Sequence, residues 1–315
     1  MIHTDKNPIV TVVIPTLRRP DLVLRAIDSA LRQTYERLEI VVVIDGPDEA
    51  TRTTLRAVED TRLRVVELDE SVGGCDARNL GVKHARGEWI AFLDDDDEWL
   101  PEKIEKQLAL AAQVSERYPI ISTQAIVRSP EVDLIWPLRY PRESEPICEY
   151  LLTRTMPFAG EGLAQTSTLM ARRELLERVP FTSGLPKHQD LDWNLRADQY
   201  AGTKYYFVRE PLTIWYVGEN RTAITNRINW RRSFDWISGH RELMTPRAYA
   251  AFLSTTVCAE AAKQRQWRAI PKLLWEILFR GKPRVVELSI FAGLWLSWPS
   301  LRHRLRALRF SAATK

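Results

Sequence analysis

Four consecutive aspartates, Asp94-Asp95-Asp96-Asp97, follow directly on the apolar run Trp89 to Leu93. Carboxylates packed this closely repel and raise one another's pKa, so a cation or a set of donors must compensate them. Hard oxygen ligands of this kind suit Mg²⁺ or Mn²⁺, which take one or two carboxylates and complete their shell with substrate phosphates. The plainer reading is a solvated acidic turn heading the helix that follows Pro101, because acidic side chains favour helix N-termini. Cys75, Cys148 and Cys258 are odd in number, far apart and without a CxxC or a His-rich partner. They indicate neither a disulfide framework nor a zinc site, and a reducing compartment suits them.

Strands and helices must carry this cluster. Ile9 to Ile14, Ile40 to Ile44, Leu63 to Leu68 and Trp89 to Leu93 are short β-branched or apolar runs, continuous enough for strands buried on both faces. Helical patterns separate them at Pro20 to Thr34 and Asp76 to Arg86, and a third follows at Pro101 to Arg117. This β-α rhythm predicts a doubly wound α/β sheet, in which ligands bind beyond the carboxyl ends of the strands, where the aspartates fall. From Ser129 to Pro146 four prolines predict a surface excursion. Beyond it the expected elements are a strand at Thr166 to Met170, a helix at Asp190 to Tyr200, strands at 205–208 and 212–216, and helices after Asn229.

The 315 residues are 45% hydrophobic and 27% charged, which excludes disordered and collagen-like chains and leaves room for one large domain or two modest ones. Net charge is +4 but unevenly spread. Residues 1–130 hold 17 basic against 23 acidic residues, and the remainder 28 against 18. The segment Met1 to Lys6 lacks the pattern of a secretion signal, so a cytosolic protein is expected.

Five stretches together carry a family resemblance: Val12-Val13-Ile14-Pro15-Thr16; Ala26-Ile27-Asp28-Ser29-Ala30-Leu31-Arg32-Gln33-Thr34-Tyr35; Glu39 to Gly46; Ala77-Arg78-Asn79-Leu80-Gly81; and Gly87 to Asp97. In order and spacing the chain resembles the inverting glycosyltransferases of family 2. The resemblance implies a GT-A fold, Rossmann-like with a doubly wound, mostly parallel sheet, here with a helical C-terminal extension. It also implies a catalytic domain over residues 1–228 and a basic helical region over 229–315.

Residue by residue, the resemblance implies donor-nucleotide contacts from Thr16, Arg18, Asp45, Arg78, Asp94 and Asp95, with Arg19 beside them and Asp96 as the ligand of Mg²⁺ or Mn²⁺. Asp97 is read with Asp95 as a brace for the loop. Ile44 and Pro47 depart from the family's Asp-Asp-Gly-Ser, so Asp45-Gly46-Pro47 is read either as a base contact or as a plain turn. Arg78 is read as a phosphate or ribose ligand, or as a salt-bridge partner of the aspartates. Inversion needs a base opposite the leaving diphosphate, and Asp190 aligns with it, Gln189 replacing the family's Glu. Asp190 is read as base or as helix cap, with Asp192 in reserve, and His188 is set aside as structural. Arg221, in Trp215 to Thr222, falls where the family has a flap over the diphosphate.

Val285 to Ser300 is apolar but too short to span a membrane and contains Glu287. Basic flanks, Arg280, Lys282 and Arg284 before it and Arg302, Arg304, Arg306 and Arg309 after, with Trp295 and Trp298, predict either a helix lying on an anionic membrane surface or packing on the protein. The expectation is a transferase moving a sugar from a nucleoside-diphosphate sugar to a hydroxyl of a glycan or lipid-linked glycan, in bacterial surface polysaccharide assembly, at the inner face of the membrane. The rivals are a non-catalytic nucleotide-sugar-binding module, a nucleotidyltransferase and a nucleic-acid binder. The last is disfavoured because the arginines lack an aromatic platform.

Overall fold

The structure is a computed structural model that describes residues 8–157, 160–217 and 229–296. Arg221, Trp298, Arg302, Arg304, Arg306 and Arg309 lie outside the described residues. The chain divides into two compact units, Met1–Pro137 with Leu163–Arg221, and Leu138–Gly162 with Thr222–Lys315.

The first unit opens with β1 (Val10–Thr16), α1 (Pro20–Leu31), β2 (Leu38–Ile44), α2 (Glu49–Arg56), β3 (Leu63–Glu67), α3 (Gly74–His84) and β4 (Trp89–Phe92). Every residue of β2 is buried and nearly every one of β1, as their continuous apolar runs require of strands covered on both faces. Helix α1 begins with Pro20 in its first turn and buries Val23, Ala26, Ile27 and Ala30 at helical spacing. Helix α3 approaches β1 so closely that a Cβ on Gly81 would overlap Val13 Cγ1.

There follow β5 (Glu98–Trp99), α4 (Lys103–Ala111), β6 (Tyr118–Arg128) and β7 (Asp133–Trp136). Helix α5 (Ile147–Leu152) belongs to the second unit, after which β8 (Met170–Arg172), α6 (Arg173–Arg178), α7 (Gln189–Asp198) and β9 (Thr203–Tyr216) complete the first. Along the sheet the order is β3-β2-β1-β4-β8-β6-β9-β5, with β7 on β6. The β3-β2-β1-β4 half is parallel, as a doubly wound sheet should be. Beyond it the sheet is mixed: β8 is antiparallel to both β4 and β6, β6 and β9 are parallel, and β5 runs antiparallel to β9.

Four expectations change. The strand at Leu63, β3, is not buried on both faces: it closes the edge of the sheet and has no fully buried residue. Thr166 to Met170 is not one strand but a 3-10 turn, Thr166–Thr168, followed by β8. Its hydroxyls and amides bond within the turn and to neighbouring side chains instead of a ladder, with Thr168 Oγ1 donating to the Gln165 carbonyl at 2.7 Å. The strands expected at 205–208 and 212–216 are one strand, β9, because register shifts on either side of Gln124 accommodate Pro211 without a break. The proline-rich stretch holds β7, which closes an antiparallel hairpin on β6.

The second unit is helical: α5, α8 (Trp230–Gly239), α9 (Pro246–Phe252), α10 (Cys258–Lys263), α11 (Ile270–Trp275) and α12 (Val285–Leu296). π-helical segments Leu253–Val257 and Glu276–Arg280 continue α9 and α11. Arg247 lies between Glu149 of α5, at 3.5 Å, and Glu287 of α12, at 3.7 Å. Among the described residues no helix is long and apolar enough to cross a membrane.

Gly81→Ala should lower stability by about 1–3 kcal/mol, read from the urea midpoint, because the packed α3–β1 contact has no room for a methyl group. Gly239→Ala, whose Cβ would meet nothing within 4 Å, is the neutral or stabilising control.

Candidate active site

Parallel pairing places Thr16 opposite Ile44 and Val13 opposite Phe92, so the carboxyl ends of β1, β2 and β4 share one edge of the sheet. Thr16 ends β1, Asp45 follows β2, and the four aspartates follow β4. Of these four, the side chains of Asp94 and Asp96 are the more exposed, at 25% and 13%, against 8% for Asp95, while Asp97 is completely buried.

Each carboxylate is compensated differently. Arg78, on the first turns of α3, donates from Nη2 to Asp94 Oδ1 at 2.5 Å and from Nη1 to Gln189 Oε1 at 2.9 Å. Arg19, just before α1, donates from Nη1 to Asp95 Oδ1 at 2.9 Å and to Asp96 Oδ2 at 3.1 Å. Thr16 Oγ1 donates to the other oxygen of Asp95 at 2.8 Å. Burial still pushes the Asp95 carboxyl up to about 6, against the pull of the Arg19 charge. Burial, then the neighbouring Asp94 charge, drives Asp97 well above the ordinary carboxylate range. Its Oδ1 has no hydrogen-bond partner, while Oδ2 accepts from Ser167 Oγ at 2.6 Å and Gln165 Nε2 at 3.0 Å.

The 3-10 turn after Gln165 ties this cluster to α7. Ser167 Oγ accepts from the Asp94 amide at 3.0 Å, and Gln165 Nε2 reaches Asp94 Oδ2 at 3.3 Å. Thr166 gives both its amide, at 3.1 Å, and its hydroxyl to the carboxylate of Asp190. The turn is fastened from behind by Trp99 Nε1, which donates to the Ser167 carbonyl, and by Gln107 Nε2, which donates to the Thr168 carbonyl.

Asp190 sits one residue inside α7, where His188 (φ 63°) is the capping position. Its carboxylate faces Thr166 and not the helix's own amides, so the helix-cap reading is not what the structure shows. Burial first, then the Asp94 charge, raises its pKa, while Arg78 and the two Thr166 donors pull the other way. Asp192 is buried against Thr182 at 2.6 Å and Arg196 at 2.8 Å. Burial holds the His188 imidazole down to about 3, and so neutral.

The remaining sequence candidates are dispersed. Asp45 accepts from Ser71 Oγ, Val72 N and Gly73 N at 3.0, 2.7 and 3.0 Å, anchoring the approach to α3. Gly46 beside it has φ +106°, and a Cβ there would lie 2.8 Å from Ser71 N. Arg18 adopts φ 56° and gives its amide to Asp48 at 2.6 Å, the residue that caps α2. Thus Arg78, Asp94, Asp190 and Gln189 form one group with Gln165 and Thr166. Thr16, Asp95, Asp96 and Arg19 form a second. Sequence reading missed Gln165, Thr166 and Ser167, whose only trace is a run of polar residues ahead of an apolar strand.

The arrangement presents Asp190, a carboxylate of raised proton affinity, beside Asp94, Asp96 and a buried guanidinium. Such a set can take up a proton and hold oxyanions or a hard cation. Among the described residues no three His, Cys, Asp or Glu side chains form a ready-made metal cage.

The model of "Glycosyl transferase family 2" matches residues 11–179. The amylovoran biosynthesis glycosyltransferase AmsB of Erwinia amylovora is 28% identical over 245 residues, 75% of this chain and 79% of that protein. The succinoglycan biosynthesis protein ExoO of Rhizobium meliloti is 41% identical over 107 residues, 34% of this chain and 31% of that protein. Among solved structures, the mannosyltransferase PcManGT of Pyrobaculum calidifontis, in complex with GDP-Man and Mn²⁺, superposes with a TM-score of 0.56 at 21% identity, covering 98% of this chain and 86% of that one. S. aureus TarS 1-349 in complex with UDP-GlcNAc gives 0.55 at 15% identity, covering 91% and 79%. At these identities the two structures speak to the fold.

Arg78→Met should cost about 1–3 kcal/mol of stability, because it removes the buried guanidinium that answers the partly exposed carboxylate of Asp94. In a double-mutant cycle with Asp94→Asn, measured by urea unfolding, the two losses should fall short of additivity by at least about 1 kcal/mol.

Proposed function

The chain belongs to glycosyltransferase family 2, and from that premise we propose that it is a metal-dependent inverting enzyme with Asp190 as its base. The donor is a nucleoside-diphosphate sugar. The acceptor is a hydroxyl of a glycan or lipid-linked glycan in the assembly of a bacterial surface polysaccharide, at the inner face of the cell membrane. The observation that carries the reading is the placement of Asp190, held by Thr166 and of raised proton affinity, within reach of the charges of Asp94 and Arg78. The relatives named for amylovoran and succinoglycan biosynthesis support the polysaccharide setting.

In this reading Asp190 takes the proton of the acceptor hydroxyl as its oxygen bonds to the anomeric carbon. The bond from that carbon to the diphosphate breaks on the opposite face, which inverts the configuration. Thr166 donates one hydrogen bond to each oxygen of the base, fixing the orientation of the carboxylate and moderating its pKa. Arg78 offers a guanidinium to the diphosphate and balances Asp94 until the donor arrives.

A divalent ion fits the donor set. Asp94 and Asp96 are the hard-oxygen, more exposed members of the cluster, and Mg²⁺ or Mn²⁺ bound with a diphosphate needs only one or two carboxylates. Asp96 would hold it, with Asp94 on the ribose or a metal-bound water, and the ion would neutralise charge on the leaving diphosphate. Thr16, Arg18 and Asp95 line the nucleotide side in this reading. Asp45 acts there through the 71–73 segment that it anchors, and Arg221 meets the diphosphate.

Asp190→Asn should keep the donor-induced rise in melting temperature and lose turnover by at least about 10³-fold, whereas Asp96→Ala should lose the Mn²⁺-dependent part of that rise. Donor turnover that survives in Asp190→Asn defeats the assignment of the base. Thr166→Val removes one donor that favours the charged form of Asp190, so its pKa rises. The acid limb of the kcat/KM profile should then move to higher pH, with activity lost first at low pH.

A further inference from the structure

Helix α12 does not present the interfacial face that its sequence suggests. Ile290, Phe291 and Trp295 are buried within the second unit, and Trp295 packs its ring against Trp267 and Phe291. Apart from Val285 at the start of α12, the large apolar residues of the C-terminal helices left outside lie earlier, on α11 and the π-helical segment that continues it. There Trp275 is 47% exposed, Leu278 44% and Phe279 72%, with Trp267 before them at 57%. Leu273 and Ile277 are buried, so this helix carries apolar side chains inward and outward alike. The rings of Trp275 and Phe279 stack at 5.7 Å, one turn apart on the outer face.

The charges are sorted as sharply. Glu276 is buried, accepts from Tyr249 Oη at 2.9 Å and pairs with Arg280 at 3.2 Å. Glu287 is buried too, within 3.7 Å of Arg247. Between residues 267 and 285, the exposed charged side chains are Arg268, Lys272, Arg280, Lys282 and Arg284, all positive. Folding hides Glu276, the one carboxylate of this stretch, and leaves tryptophan, phenylalanine, leucine and cations in solvent.

We propose that this face, residues 267–285, seats the protein on an anionic lipid bilayer. The inference rests on the peripheral-membrane part of the proposed function and deepens it by naming the surface. Aromatic and leucine side chains enter the boundary between headgroups and acyl chains, while lysines and arginines meet lipid phosphates. A second copy of this chain is the poorer occupant. A two-fold contact would oppose this cationic surface to itself with no exposed carboxylate of the stretch to answer it.

Flotation of the full chain with liposomes tests this. Wild type should float with phosphatidylcholine vesicles containing phosphatidylglycerol, more weakly as salt rises, and should remain behind with pure phosphatidylcholine. Trp275→Ser/Phe279→Ser should lose flotation while keeping its circular dichroism and donor-induced melting shift. Arg268→Gln/Lys282→Gln/Arg284→Gln, which spares the Arg280 partner of Glu276, should weaken partition about fivefold for each charge removed. Asp190→Asn should float like wild type, which separates this surface from the chemistry of the site. Wild type that fails to float, or floats undiminished in both surface variants, overturns the proposal. A dimer by light scattering that the Trp275/Phe279 variant dissociates, with flotation unchanged, also overturns it and assigns the face to a second copy.

Discussion

Four adjacent carboxylates have to be reconciled with one another, and most of the first unit can be understood as the means of doing so. Ionised aspartates at this spacing raise the free energy of the folded chain unless cations, donors or protons answer each one. Arg78 answers Asp94, Arg19 is shared by Asp95 and Asp96, and the inner Asp97 is driven towards its protonated form by burial. The two arginines come from α3 and from the start of α1, helices on separate β-α connections. The cluster is therefore tolerable only once the parallel half of the sheet has assembled. The same compensation holds the cluster together through the protein's own side chains.

A short polar turn joins that cluster to Asp190. Gln165, Thr166 and Ser167 reach Asp94, Asp97 and Asp190, and the carbonyls behind them are taken by Trp99 and Gln107. Here the sheet changes from parallel to mixed, as β8 leaves the turn antiparallel to β4. A ladder-forming strand through 166–168 would have spent these hydroxyls and amides on its neighbours. The 3-10 geometry leaves them for the carboxylates.

The second unit applies the same rule to a different end. Carboxylates that would stay solvated on an isolated helix, Glu276 and Glu287, are drawn inside by Tyr249, Arg280 and Arg247. The outer surface of that stretch becomes uniformly basic as a result. Burying α12 by its aromatic face leaves the preceding helix to carry the exposed rings.

The four strands of the parallel half, their flanking helices and the aspartates at the end of β4 were legible from sequence, because continuous apolar runs and helical spacing are local signals read within a dozen residues; that β3 is a half-exposed edge strand was not, since its run gives no sign of which neighbour it lacks. Asp190 and Arg78 were legible through motifs in a family's order. The mixed half of the sheet was not: β6 and the unbroken β9 depend on pairing partners far apart in the chain and on a register shift that absorbs Pro211. Nor was the 165–168 turn, since nothing in Gln-Thr-Ser-Thr says that its side chains are buried against carboxylates 70 residues away. Periodicity and composition determined which elements form and which residues carry charge. Only the tertiary structure decided which charges meet, which are neutralised and which face solvent, because those outcomes turn on distances and burial between segments that no local pattern encodes.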